Sequence, residues 1–153
     1  MGFSPTGLLL AVILLLPNIL VLLLPPRNLP VGLKDAGIIF TVLERIGQAG
    51  MVITLILSKD NFQGRAFDIW EMLMIICIAA YYFLWLRYAV KGHDFTLLWK
   101  PFAFIPIPMA IFPAAAFGFA ALWGKSRYLG AAVIAFALGH FANSWHSYKF
   151  SRK

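Results

Sequence analysis

Charge is what this sequence has least of. Only 12% of its 153 residues are Asp, Glu, Lys or Arg, against about 25% in an average soluble domain. With 61% hydrophobic residues and a mean hydropathy of +0.82, the apolar excess cannot be hidden inside so short a chain, because a small globule still exposes much of its surface. A soluble globule is therefore excluded and an integral membrane protein expected. Cysteine is nearly absent too: Cys77 stands alone in an apolar run, which excludes an intramolecular disulfide and a cysteine metal site. The first 24 residues carry neither a basic region nor a small-residue cleavage site, so they are expected to remain as a helix rather than leave as a secretory signal.

Other absences narrow the function. The formal charge is +7, but there is no Lys/Arg cluster or stacking platform of the kind nucleic acid requires. The basic residues are instead expected beside anionic lipid headgroups. His140 and His146 are six apart, roughly 9 Å in rise and on different helix faces, and no zinc-type ligand spacing occurs. Neither a metal nor haem nor any other cofactor is expected. Gly2 with Thr6 fits a short myristoylation pattern, but an acyl chain would add nothing to an inserted protein.

What is present is a set of five apolar runs, at about 5–24, 37–57, 69–88, 102–123 and 129–148, each close to the length that crosses a ~30 Å hydrocarbon core. The connectors are too short to fold separately. The sequence thus predicts an all-α protein, residues 1–153 forming one bundle of five transmembrane helices. If the spans alternate, one side collects Arg27, Lys34, Arg87, Lys91, Lys100, Lys149, Arg152 and Lys153, and the other only Lys59, Arg65, Lys125 and Arg127. The positive-inside rule then places the C-terminus in the cytoplasm and the N-terminus outside, as a multi-pass protein of the plasma (inner) membrane. Trp70, Trp85, Trp99, Trp123 and Trp145 fall near proposed span ends, where indoles favour the headgroup level.

Against this background the second run, FTVLERIGQAGMVITLIL, is anomalous. Excluding Glu44 and Arg45 would leave twelve residues, Ile46 to Leu57, fewer than the ~17 a span needs. Including them costs about +5 to +7 kcal/mol, against about −5 from the apolar residues. Neighbouring helices must therefore supply polar partners. At 1.5 Å per residue, Asn18, Tyr81, Tyr82, His140 and Asn143 reach the same depth as this pair. Thr41, Glu44 and Gln48 share one helix face. Ala131, Ala135, Gly139, Asn143 and Ser147 form a small-residue stripe that permits close approach of helices, so the second and fifth helices are expected to be neighbours. An Arg side chain keeps its proton, which predicts a contact between Arg45 and Glu44, direct or through one polar bridge, with His140 or Asn143 in reach of one of them.

Prolines mark the first and fourth runs. Pro17 removes a backbone donor and frees a carbonyl one turn earlier. Pro101, Pro106, Pro108 and Pro113 predict an interrupted fourth helix, which lipid tolerates only where it is buried or lines a cavity. Glu71 reads as an interfacial carboxylate at a helix N-terminus, His93 and Asp94 as solvated loop residues, and FTLLWK after them as an interfacial lip.

The candidate ligand-binding residues are therefore Glu44, Arg45, Gln48, His140, Asn143, Asn18 and Tyr81. A mid-bilayer polar site beside a discontinuous helix is what a small transporter or permease component needs, and five spans are few for a complete one. A homo-oligomer or a partner membrane protein is then expected. Two alternatives are a membrane enzyme acting on a lipid or isoprenoid substrate, with Glu44 or His140 as general acid or base, and a non-catalytic accessory, assembly or immunity protein whose polar residues only pack. The sequence lacks a paired nucleophile, a metal set and a phosphate-cradling loop, which ranks the enzyme below the transporter.

Overall fold

The computed structural model describes residues 2–33, 35–58, 62 and 67–151. Among these the regular elements are all helical, with isolated bridges and no strand. Helix α1 (Pro5–Leu15) continues through a 3-10 turn (Leu16–Ile19) into α2 (Leu20–Leu23). Then come α3 (Ile38–Ile56), α4 (Ile69–Val90), a short 3-10 turn (Phe95–Leu98), α5 (Pro108–Trp123) and α6 (Arg127–Phe150). Three stretches are long and apolar enough to cross a membrane: Pro5–Leu23, Ile38–Ile56 and Ile69–Val90. Of the charges counted above, Lys34, Lys59, Arg65, Arg152 and Lys153 lie outside the described residues.

Local chemistry fixes the helix starts. Ser4 accepts from the Gly7 amide at 3.0 Å, Asp68 from those of Trp70 and Glu71 at 2.9 and 3.1 Å, and Ser126 from that of Leu129 at 3.2 Å. Each oxygen satisfies an amide that the first helical turn leaves without a partner. Glu71 thus sits in the first turn of α4, where the helix dipole favours a carboxylate.

The fourth helix begins at Pro108, six residues later than the 102 read from hydropathy. Ile105 precedes Pro106 and Ile107 precedes Pro108, and a residue before proline is steered away from helical geometry. Pro108, by contrast, suits the first helical position, where its missing amide is not needed. Phe102 and Ile105 exchange backbone hydrogen bonds of 3.1 and 3.0 Å in a tight turn. Ala103 and Ile107 there adopt φ of 52° and 42°. Pro113 lies inside the continuous helix. At sixteen residues, α5 is ~24 Å long.

Helices α3 and α6 pack antiparallel along most of their length. Gly47 lies on the backbone of Phe136, and Gly139 on the carbonyl of Phe40 and the amide of Glu44, so that a methyl group at either glycine would overlap its neighbour. Glycines of this kind let helix backbones touch. Helix α1 is tied to the end of α3 by the Ser4 amide, which donates to the Ile56 carbonyl at 2.7 Å. Helix α4 meets α5 through stacked rings of Trp70 and Phe119, 6.2 Å apart.

Three tyrosines of α4 fasten the α1–α2 stretch. Pro17 has no amide hydrogen, so the Ile13 carbonyl lacks its helical partner; the Tyr82 hydroxyl donates to it at 2.8 Å. The Tyr81 hydroxyl donates to Asn18 Oδ1 at 3.0 Å, and that of Tyr88 to the Leu24 carbonyl at 2.7 Å.

Loop contacts show that successive helices run in opposite directions. The Arg27 amide donates to the His93 carbonyl at 2.8 Å and the Phe95 amide to the Arg27 carbonyl at 2.9 Å. Asn28 Nδ2 donates to Asp94 Oδ2 at 2.7 Å. The connectors after α2 and α4 therefore meet at one end of the bundle. At the other, the rings of Phe62 and Trp123 lie 5.2 Å apart. His93 and Asp94, read from sequence as free loop residues, form part of this clip. In the FTLLWK segment, Phe95 and Leu97 are buried in the protein.

Candidate functional site

Glu44 is placed by the glycine contact that brings α3 and α6 together. With Gly139 against its backbone, its carboxylate reaches the next residues of α6. Oε1 lies 2.7 Å from His140 Nδ1, and Oε2 accepts from Asn143 Nδ2 at 2.6 Å. A carboxylate can only accept, so Nδ1 carries the hydrogen, and Nε2 is the ring nitrogen left free of Glu44. Phe136, one turn before His140, stacks on the imidazole at 4.7 Å with the planes 18° apart. Asn143 is itself oriented, because its Oδ1 accepts from the Ala36 amide at 3.1 Å. The imidazole is thus held on both sides, by the ring and by the carboxylate.

Arg45 and Glu44 do not meet directly. No hydrogen bond or ion pair joins them among the described residues. Adjacent residues on a helix point about 100° apart, and α6 occupies both oxygens of Glu44. Arg45 is exposed and lines a partly open cavity instead. Its charge still acts on Glu44 through space.

That cavity, about 700 Å³, gathers most of the sequence-derived candidates: Asn18, Glu44, Arg45, Gln48, Tyr81 and His140 all line it. Asn143 stands behind Glu44 as its support. Thr41, on the same helix face as Glu44 and Gln48, donates instead to the Gly37 carbonyl at 3.2 Å and is not among the residues that line the cavity. Tyr82, at the same depth, serves the Ile13 carbonyl. The rest of the wall is apolar and comes from α1, α3, α5 and α6: Leu14, Met51, Pro113, Phe117 and Phe136 are among its members. The proline-bearing α5 therefore borders the cavity, although the irregular segment, from Phe102 to Ile107, precedes this continuous helix.

Sequence reading missed the apolar wall and the stacking ring. Phe136 precedes His140 by four residues, a spacing that puts side chains on one face, so this partner was available to inspection. Met51 and Phe117 carry no such signal, since an apolar residue facing a cavity has the same pattern as one facing the core.

Chemically, the site has one committed charge and several open donors. Glu44 is fully engaged, and Asn18 Oδ1 accepts from Tyr81. Arg45 and Gln48 form no hydrogen bond among the described residues, and the same is true of His140 Nε2. A pocket of this volume falls in the ~300–1,000 Å³ range of small-molecule sites, which combine apolar walls with a few placed polar groups. Comparison with known proteins finds no matching family model, no matching curated protein and no matching solved structure.

Proposed function

We propose that this chain is a five-span membrane protein that binds a small solute in the cavity between α1, α3, α5 and α6, as a transporter or permease component. Three of its helices have the length and apolarity of spans. The surface supports placing the other two in lipid as well: Ile134 and Leu138 on α6 are 63% and 58% exposed, and Leu122 on α5 is exposed too. Exposed apolar area over many helices exceeds what soluble monomers show. On the counts of basic residues given above, the C-terminus is cytoplasmic. Reporters fused to the two ends would test this, and an N-terminal fusion active in the cytoplasm would contradict it.

The observation that carries the binding role is the convergence of Asn18, Glu44, Arg45, Gln48, Tyr81 and His140 on one cavity at a depth where polar groups are costly. Helix glue would need hydrogen bonds between helices, worth about 0.6 kcal/mol each on average in membranes. It would not need a cavity, nor an arginine without an acceptor among the described residues. A lipid-directed enzyme remains the second reading, favoured by the His140–Glu44 pair: the oriented imidazole offers Nε2 as a base toward the cavity. Both readings make the same demand of Glu44→Gln, which keeps the shape and removes the charge. The variant should stay folded, with its melting temperature within a few degrees of wild type, while losing solute retained through purification, as read by native mass spectrometry. A large fall in melting temperature with unchanged retention would favour packing alone.

A further inference from the structure

The open valences of the cavity define a class of ligand. Glu44 already accepts one hydrogen bond on each oxygen, from His140 and Asn143. Arg45 presents a guanidinium with five donors and no acceptor capacity, and it cannot become neutral by losing a proton. Asn18 gives its oxygen to Tyr81 and keeps its amide hydrogens. Gln48 is uncommitted and lies on the same wall. The open groups of the wall are thus the Arg45 guanidinium, the Asn18 amide hydrogens, Gln48 and His140 Nε2, and Arg45 alone among them carries a permanent positive charge. In a low-dielectric setting a cation without an acidic partner is costly, and planar guanidinium groups match carboxylate and phosphate oxygens in two-point contact. The remaining walls, from Leu14 and Leu22 to Phe117, are apolar.

Resting on the ligand-binding role proposed above, we infer that the cavity takes an oxyanion carried on an apolar body, its head against Arg45 and Gln48 and its body along α1 and α5. A carboxylate and a phosphate monoester share this chemistry. Glu44 does not meet the head itself; its hydrogen bonds to His140 and Asn143 hold the α6 wall of the site in place.

The test is saturable binding to the full chain in phosphatidylcholine nanodiscs, with empty nanodiscs subtracted. The probes are dodecanoate, dodecyl phosphate, dodecylammonium, dodecanol and inorganic phosphate. The expected result is one saturable site for dodecanoate or dodecyl phosphate, at least tenfold tighter than for dodecylammonium. Whichever of the two anions binds more tightly identifies the head. Arg45→Gln, an exposed residue with no hydrogen bond to lose, should keep the melting temperature and weaken the anions at least tenfold, with dodecanol unchanged. Gln48→Glu should weaken the anions and strengthen dodecylammonium. Equal or tighter binding of dodecylammonium to the wild type would overturn the oxyanion assignment and leave a ligand cavity in place. Inorganic phosphate binding as tightly as dodecyl phosphate would overturn the apolar body. Failure of every probe, dodecanol included, would count against the cavity as a ligand site altogether.

Discussion

Gly139 lies against the backbone of Glu44 with no room for a methyl group between them. The glycine is next to His140, so the same close approach that joins the helices sets the distance between carboxylate and imidazole. Gly139→Ala should push α3 and α6 apart and cost about 1–3 kcal/mol, the usual range for overpacking. Gly47→Ala should behave alike, since the Phe136 backbone fills its space. Gly130, with nothing near its missing side chain, is the control, and Gly130→Ala should stay within about 0.5 kcal/mol. Thermal unfolding of the purified variants checks all three.

Tyr82 takes the place of the amide hydrogen that Pro17 lacks, and this gives a sign to a double-mutant cycle. Tyr82→Phe strands the Ile13 carbonyl and should cost on the order of 0.6–1.7 kcal/mol, the range for hydrogen bonds in membrane proteins. With Pro17→Ala, a backbone amide becomes available to Ile13, and the same Tyr82→Phe change should cost less than half as much. Equal costs in the two backgrounds would mean that the hydroxyl bond contributes nothing to α1.

The amount of structure legible in the sequence varied with the kind of force involved. Apolar run length located the helices, because the lipid-like composition of each run is a bulk property. It misplaced the start of α5, since hydropathy does not register the steric effect of Pro106 and Pro108 on the residues before them. That Glu44 or Arg45 would meet His140 and Asn143 followed from depth and from the small-residue stripe, but not which of the two would do so. The partner of Arg45 did not, because depth gives no azimuth and both oxygens of Glu44 were already taken by α6. The clip between Arg27 and His93 was invisible: it is made by backbone groups, which leave no mark on residue type.

That clip should respond to pH through Asp94. The Thr96 hydroxyl, the Asn28 side chain and the Thr96 amide all donate to its carboxylate and hold its pKa below the ordinary value. A depressed carboxylate pKa stabilises the folded loop above the unfolded pKa, and this contribution is lost as pH falls through the folded one. The Phe95 amide, bound to Arg27, should therefore lose hydrogen-exchange protection below about pH 4, after correction for the intrinsic rate. In Asp94→Ala the protection should be low at every pH. Protection that is flat with pH in the wild type would mean the carboxylate does not hold the loop.

The central claim is that the buried polar residues line a space open to solutes rather than merely joining helices, and accessibility to a small water-soluble thiol reagent tests it most directly. In a Cys77→Ser background, Phe117→Cys and Leu14→Cys would place thiols on the cavity wall, and Ile46→Cys would place one on the exposed outer face of α3, in lipid on this account. In proteoliposomes the two cavity thiols should react with a methanethiosulfonate reagent at least tenfold faster than the one at position 46. Cavity positions as unreactive as position 46 would contradict the account and leave Glu44, His140 and Asn143 as packing residues.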